Sequence, residues 1–295
     1  KVSHSRAELR RARRSCGNTS RPARRCSFSR YRWGRLKTSA PSWRPARDTY
    51  QANFPGTPII PDDINKLSGM HFLNKTHLQY GELDILDGSP PCSAFSIAGR
   101  REKGWGSEKK YSEDKKVKNV EDLFFEFIRV ANDIQPKVII GENVKSIMFG
   151  KAKEYFNRII NGFQEIGYTA VGKSLNAADY GTPQARERCF FVAVRNDILA
   201  KTSLNFMTME SIYPTPTYTQ HVSLKEAIDD IESDEDEIKE LYDAVEKGFL
   251  SKWIPMLPKN PDRQVKGSEY HPKQSLFNLI RPCPDLPSPT ITQQG

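Results

Sequence analysis

Three short segments hold side chains whose types and spacing could do chemistry. The first is Asp87-Gly88-Ser89-Pro90-Pro91-Cys92-Ser93-Ala94-Phe95-Ser96, which follows an aliphatic segment at residues 83–86. Gly88 and two prolines fit a tight turn that holds the Cys92 thiol outward, and a partly exposed thiol that can ionise is a nucleophile. The bland alternative is a buried cysteine in an ordinary Pro-rich turn, and local context does not decide between them. The second segment is Val138-Ile139-Ile140-Gly141-Glu142-Asn143-Val144, where an aliphatic strand runs straight into a carboxylate. Alone, Glu142 could cap a turn. Beside a nucleophile at the end of a neighbouring strand, a desolvated carboxyl suits proton work. The third segment is Gln184-Ala185-Arg186-Glu187-Arg188, just before the apolar residues 189–194. Arginines two apart on an extended chain point the same way and can converge on one anion or carbonyl, whereas a surface salt bridge to Glu187 is the plain alternative.

These side chains need a scaffold that brings them together. Residues 83–86, 137–140 and 190–194 read as buried parallel strands, and residues 120–134 and 152–166 as amphipathic helices between them. That alternation is the grammar of a doubly wound α/β sheet, which binds ligands just beyond the carboxyl ends of its strands. After Asp197 the texture turns to Pro-punctuated loops and an acidic run over residues 229–240, read as a solvated helix face. Residues 198–295 are therefore expected to form a smaller, irregular domain beside a catalytic domain at 48–197.

Composition limits the alternatives. The 295 residues are 37% hydrophobic and 27% charged, which fits a globular chain with a substantial core. No apolar run is long enough to cross a bilayer, and no signal-like stretch opens the sequence, so an intracellular setting is expected. The cysteines and the five histidines are scattered, without spacing for disulfides or a structural metal. Net charge is +9, yet residues 1–47 hold 15 Lys+Arg against the single acid Glu8. The remainder holds 30 Lys+Arg and 35 Asp+Glu, so binding to nucleic acid must rest on local sites rather than on overall charge. Residues 1–47 lack periodicity and aliphatic content and are expected to be disordered or misread from the gene.

Taken in order, the three segments resemble the Pro-Cys, Glu-Asn-Val and Gln-x-Arg-x-Arg motifs of the cytosine-5 DNA methyltransferases. The resemblance covers roughly residues 48–195 and continues more weakly to Gly295. It implies a Rossmann-like, S-adenosylmethionine-dependent methyltransferase sheet with a target-recognition domain. It also implies that Cys92 adds to C6 of a flipped cytosine and that Glu142 contacts and protonates N3. Arg186 and Arg188 would hold the base and adjacent backbone. Ser96, Asn143, Val144 and Gln184 would contact or position the substrate, and residues 93–119 would form a loop closing over DNA. For the cofactor it implies Asp63 at the adenine, with Pro91 and Leu123 lining the pocket. The implied setting is a monomer in the bacterial cytoplasm, at the nucleoid, acting on double-stranded DNA alongside a cognate restriction endonuclease. A tRNA-methylating branch of the same family and a non-catalytic DNA-binding remnant remain open alternatives. A thiol enzyme pairing Cys92 with histidine lacks any histidine in a matching motif.

The resemblance fails at the ends. Where the family has a Phe-x-Gly-x-Gly-Gly cofactor loop, this chain has Ser27-Phe28-Ser29-Arg30-Tyr31-Arg32-Trp33-Gly34, too bulky for that turn. Codons for these residues, read one nucleotide later, can encode Leu-Phe-x-Gly-Ile-Gly-Gly, and the coding DNA decides whether they do. The family's closing Gly-Asn motif is likewise absent, and a chain lacking both elements is expected to be inactive. Weak cofactor binding follows as a prediction: calorimetry with S-adenosylmethionine should show affinity poorer than micromolar, and micromolar binding overturns it.

Overall fold

The computed structural model describes residues 25–28, 44–90, 109–110, 116–117, 122–150, 152–232, 235–246, 248–272 and 279–291. Its centre is a five-stranded sheet. The strands are β1 (Arg25–Phe28), β2 (Ile85–Gly88), β5 (Val138–Val144), β6 (Tyr168–Asn176) and β8 (Glu187–Arg195), in the order β1-β2-β5-β8-β6. Six two-residue strands among the described residues lie outside it: β3 (Lys109–Lys110), β4 (Lys116–Val117), β7 (Gln184–Ala185), β9 (Val265–Lys266), β10 (Ile280–Arg281) and β11 (Ser288–Pro289); helix α1 (Arg44–Asn53) lies between β1 and β2. The α/β class expected from the sequence is the class observed.

Three details differ from the sequence-based expectation. Residues 190–194, read as a parallel strand, belong to β8, which is antiparallel to both β5 and β6, so the sheet is mixed. The chain between β6 and β8 is short and contains no full helix, whereas a parallel return needs a crossover of a dozen or more residues. Strand β6 itself was not anticipated, because Gly172, Lys173, Ser174 and Asn176 interrupt any aliphatic run. Finally, Arg25–Phe28, expected to lack structure, pairs in parallel with β2 through Phe28↔Gly88. Edge pairing needs only backbone groups, which composition does not reveal.

Two helices cover one face of the sheet: α3 (Asp122–Ile134) and α4 (Ala152–Glu165). On α3, Phe124, Phe127, Ile128, Val130, Ala131 and Ile134 are buried, the spacing of one apolar stripe. These helices pack closely because three glycines flank Phe191 in one row running across the strands, Gly88↔Gly141↔Phe191↔Gly172. A Cβ at Gly88 would lie 2.7 Å from the Phe127 ring, one at Gly141 3.0 Å from Phe124, and one at Gly172 2.5 Å from Phe156. Phe191 fills the row, with Phe124 and Phe156 at centroid separations of 5.3 and 5.1 Å. The other face carries a smaller core in which Val138, Val171 and Val194 meet Leu199, Leu204, Met209 and Ile212. There the cover is irregular chain after β8 rather than long helices.

A second close approach joins α2 (Gly69–Thr76) to α3, where a Cβ on Gly69 would fall 2.2 Å from Cβ and 3.0 Å from the carbonyl carbon of Asp133. Gly69→Ala should lower unfolding free energy by about 1–3 kcal/mol in urea denaturation. Gly56→Ala, where nothing lies within 4 Å, should stay within about 0.5 kcal/mol. Equal effects would show that the α2–α3 contact yields freely.

Candidate active site

Parallel pairing of β2 and β5 brings their carboxyl ends to one rim of the sheet, with Gly88 opposite Gly141. Glu142 is the next residue on β5. It lies opposite Phe190 of β8, on the face away from the glycine row. Because β8 runs antiparallel, its first residues, not its last, reach this rim. Arg188 pairs in the ladder with Val144 and leans diagonally onto Glu142, with Nε 3.2 Å from the carboxylate Oε1. Their side chains are 20% and 14% exposed, so the pair is largely removed from water. Such a pair contributes little net stability, but removing one partner strands the other charge, at a cost of about 3–5 kcal/mol.

The neighbouring residues explain why Arg188 meets Glu142 rather than Glu187. Glu187 is directed to the opposite side and accepts an ion pair from Lys145, at 2.5 Å. Arg188 instead donates through Nη1 to the Glu187 carbonyl at 2.7 Å. The simple salt bridge within Arg-Glu-Arg is therefore not formed. Nor do the two arginines act alike: Arg186 precedes β8, its carbonyl accepts from the Ala177 amide at 3.1 Å, and its side chain makes no ion pair among the described residues. Asn143 is buried and its Oδ1 accepts from the Val144 amide at 2.8 Å, which stiffens the strand end beside Glu142. Gln184 lies in β7, which the late strand β11 (Ser288–Pro289) flanks in parallel.

The chain after residue 197 holds this rim in place, a contribution the sequence reading did not foresee. Tyr213 is buried and its hydroxyl lies 2.8 Å from the carbonyl of Phe190, the residue opposite Glu142, and 3.0 Å from that of Val171. Burial pushes this phenol well above its usual range. Amides of Thr217 and Tyr218 donate to the Asp179 carbonyl, and His221 Nε2 lies 2.9 Å from Asp179 Oδ1. Ser288 N donates to Pro183 O at 2.9 Å and Thr290 Oγ1 to Ala185 O at 3.1 Å. Only the proximity of Pro and Tyr residues to the turn at 177–182 could have hinted at this strap.

Pro91, Cys92 and Ser96 lie outside the described residues, as does most of the expected loop at 93–119. Of the cofactor residues, Leu123 is half-buried on α3 and Asp63 is exposed, capping the turn at Ile64–Lys66. Asp63 Oδ1 accepts from the Asn65 amide at 3.1 Å and from its side-chain Nδ2 at 2.8 Å, while Oδ2 makes no bond among the described residues. An exposed carboxylate with one oxygen committed and one open fits an amine donor such as that of adenine.

A family profile described as C-5 cytosine-specific DNA methylase matches residues 16–291. The chain belongs to that family. S-adenosylmethionine is the methyl donor that this family uses. Among curated methylases, the chain is similar to the Type II methyltransferase M1.HphI of Haemophilus parahaemolyticus, 31% identical over 181 residues, which cover 61% of this chain and 42% of that protein. It is also 32% identical over 189 residues to M.NgoMIV of Neisseria gonorrhoeae, covering 64% of this chain and 51% of that one. The chain thus spans about half the length, or less, of the curated relatives it matches. Among solved structures, a putative DNA modification methyltransferase encoded within an E. coli prophage aligns with TM-score 0.49 at 22% identity, over 65% of this chain and 47% of that one.

Cys189 is the cysteine nearest this rim among the described residues, and it is not a candidate nucleophile. It is fully buried opposite Asn143, and burial, reinforced by the charge of Glu142, pushes its thiol up to about 12. At pH 8 Cys189 should therefore resist iodoacetamide in the folded protein and react once denaturant is added, as read by peptide mass spectrometry. Rapid labelling without denaturant would contradict its burial.

Proposed function

We propose that this chain is the catalytic portion of an enzyme that methylates C5 of cytosine in double-stranded DNA, in a bacterial restriction–modification setting. Family membership supports the reaction class. The observation that carries the assignment to this rim is the Glu142–Arg188 pair at the carboxyl end of β5, one rung past Gly88↔Gly141. Cys92 follows Gly88 by four residues. Covalent connectivity alone keeps it within about 14 Å of that rung.

In this reading the Cys92 thiolate adds to C6, forming an S–C6 bond while the C5=C6 electron pair moves onto C5. Glu142 protonates N3 and so stabilises the charge that builds there. Arg188 fixes the Glu142 carboxyl and, with Arg186, holds the extruded base. The target atom is unreachable in a stacked duplex, and these contacts offset a flipping cost of roughly a few kcal/mol. S-adenosylmethionine, when bound, supplies the electrophilic methyl group, with Asp63, Pro91 and Leu123 as its contacts. Water then takes the C5 proton, the freed electron pair re-forms C5=C6, the Cys92 thiolate leaves and N3 returns its proton to Glu142, restoring the aromatic ring. Ser96, Asn143, Val144 and Gln184 position the substrate, residues 48–197 form the catalytic domain, and residues 198–295 form the target-recognition domain. We place the protein as a monomer in the cytoplasm. No helix among the described residues is long and apolar enough to cross a membrane.

The test is covalent trapping on duplex DNA containing 5-fluorocytosine in the presence of S-adenosylmethionine. Because weak cofactor binding would leave the chain inactive at ordinary cofactor levels, S-adenosylmethionine is supplied in large excess; a denaturant-resistant adduct should then form with the native chain and vanish with Cys92→Ser. Glu142→Gln should slow it by about 10²- to 10⁴-fold. The reading fails if no adduct forms with abundant cofactor, or if tRNA is methylated in preference to DNA.

A further inference from the structure

The carboxylate proposed to meet the cofactor's adenine sits on a very short turn, and such a turn does not hold its shape unaided. At Asp63–Leu67 the backbone bonds are Lys66 N to Asp63 O at 2.9 Å and Leu67 N to Ile64 O at 3.2 Å. Further restraint comes from one side chain of α3. Arg129 Nη2 donates to the Ile64 carbonyl at 2.9 Å and to the Leu67 carbonyl at 2.8 Å, the residues that bracket the turn. Its Nε is held by Glu126 at 2.7 Å and its Nη1 lies 3.4 Å from Asp133. Asp133 in turn accepts from the Gly69 amide at 2.9 Å. A planar guanidinium can serve both carbonyls and both carboxylates at once, which an ammonium cannot.

Within the turn, Asn65 completes the arrangement. Its backbone and side-chain N–H groups both bind Asp63 Oδ1, so one carboxylate oxygen is held while Oδ2 makes no bond among the described residues. The same helix carries Leu123, the other described cofactor contact, and lays Phe124 and Phe127 over Gly141 and Gly88. One rigid element therefore spaces the adenine carboxylate from the catalytic rim.

We infer that Arg129 and Asn65 are positioning residues for the adenine end of the cofactor, acting through Asp63. The inference rests on the proposed methyl-donor reading. Neither residue touches the ligand: Arg129 sets the turn and Asn65 orients the acceptor oxygen.

The experiment is a saturation-transfer NMR titration of the full 295-residue chain with S-adenosylmethionine, a method suited to weak binding. Each lost hydrogen bond should weaken binding by about fivefold. Arg129→Lys and Asn65→Ala should each show that loss, with the adenine H2 and H8 signals falling relative to the S-methyl signal. In an Asp63→Asn background neither should add more than about twofold, since a shared route makes the effects non-additive. Asn65 is exposed, so its variant reports on positioning even if Arg129→Lys unfolds the turn. Unchanged affinity in both variants, or a full further loss in the Asp63→Asn background, overturns this inference alone provided that Asp63→Asn itself weakens binding. No transfer to the native chain, or indifference to Asp63→Asn, overturns the cofactor reading and this inference with it.

Discussion

The site depends on the direction of one strand. Glu142 stands at the carboxyl end of β5 and Arg188 at the amino end of β8, and they meet because the two strands are antiparallel. Were β8 parallel to β5, Arg188 would lie at the far rim, roughly 20 Å away at the rise of an extended chain. The short link from β6 enforces the reversal. Lys145 and Glu187 cross the same junction with the charges exchanged, which leaves Arg188 directed at Glu142 alone of the two acids.

Behind that rim the helices sit unusually close to the sheet. The glycine row removes Cβ atoms where Phe124, Phe127 and Phe156 press in, and Phe191 supplies the ring they pack around. Edge-to-face and tilted contacts of this kind add specificity to simple burial. The packing fixes α3 relative to β2 and β5, and α3 then fixes the Asp63 turn through Arg129. The proposed cofactor contacts and the proposed catalytic carboxylate are thus referred to one helix.

The chain after residue 197 is not a passive appendage. Tyr213 bonds the carbonyl of the residue opposite Glu142, Asp179 collects two amides and His221, and β11 lines up against β7. The contacts of that chain are mostly to backbone carbonyls, which carry no residue-specific signature in the sequence.

Residue types and order determined the chemistry that could be read directly: a cysteine in Pro-Pro-Cys, a carboxylate ending an aliphatic strand, and paired arginines before another. They also determined both long helices, since their apolar stripes need no partner to be recognised. What the tertiary structure decided was direction, pairing and role. An aliphatic strand buried on both faces reads the same whichever way it runs, so the antiparallel β8 and its ion pair with Glu142 were invisible. Arg186 and Arg188 differ in their partners for a related reason: only Arg188 lies within β8, where its rung beside Val144 brings it onto Glu142. Strand β1 emerged from a segment read as unstructured because backbone pairing asks little of side chains. Local spacing is written in the sequence, whereas contacts between distant segments depend on how strands are connected and which backbone groups are left to be satisfied.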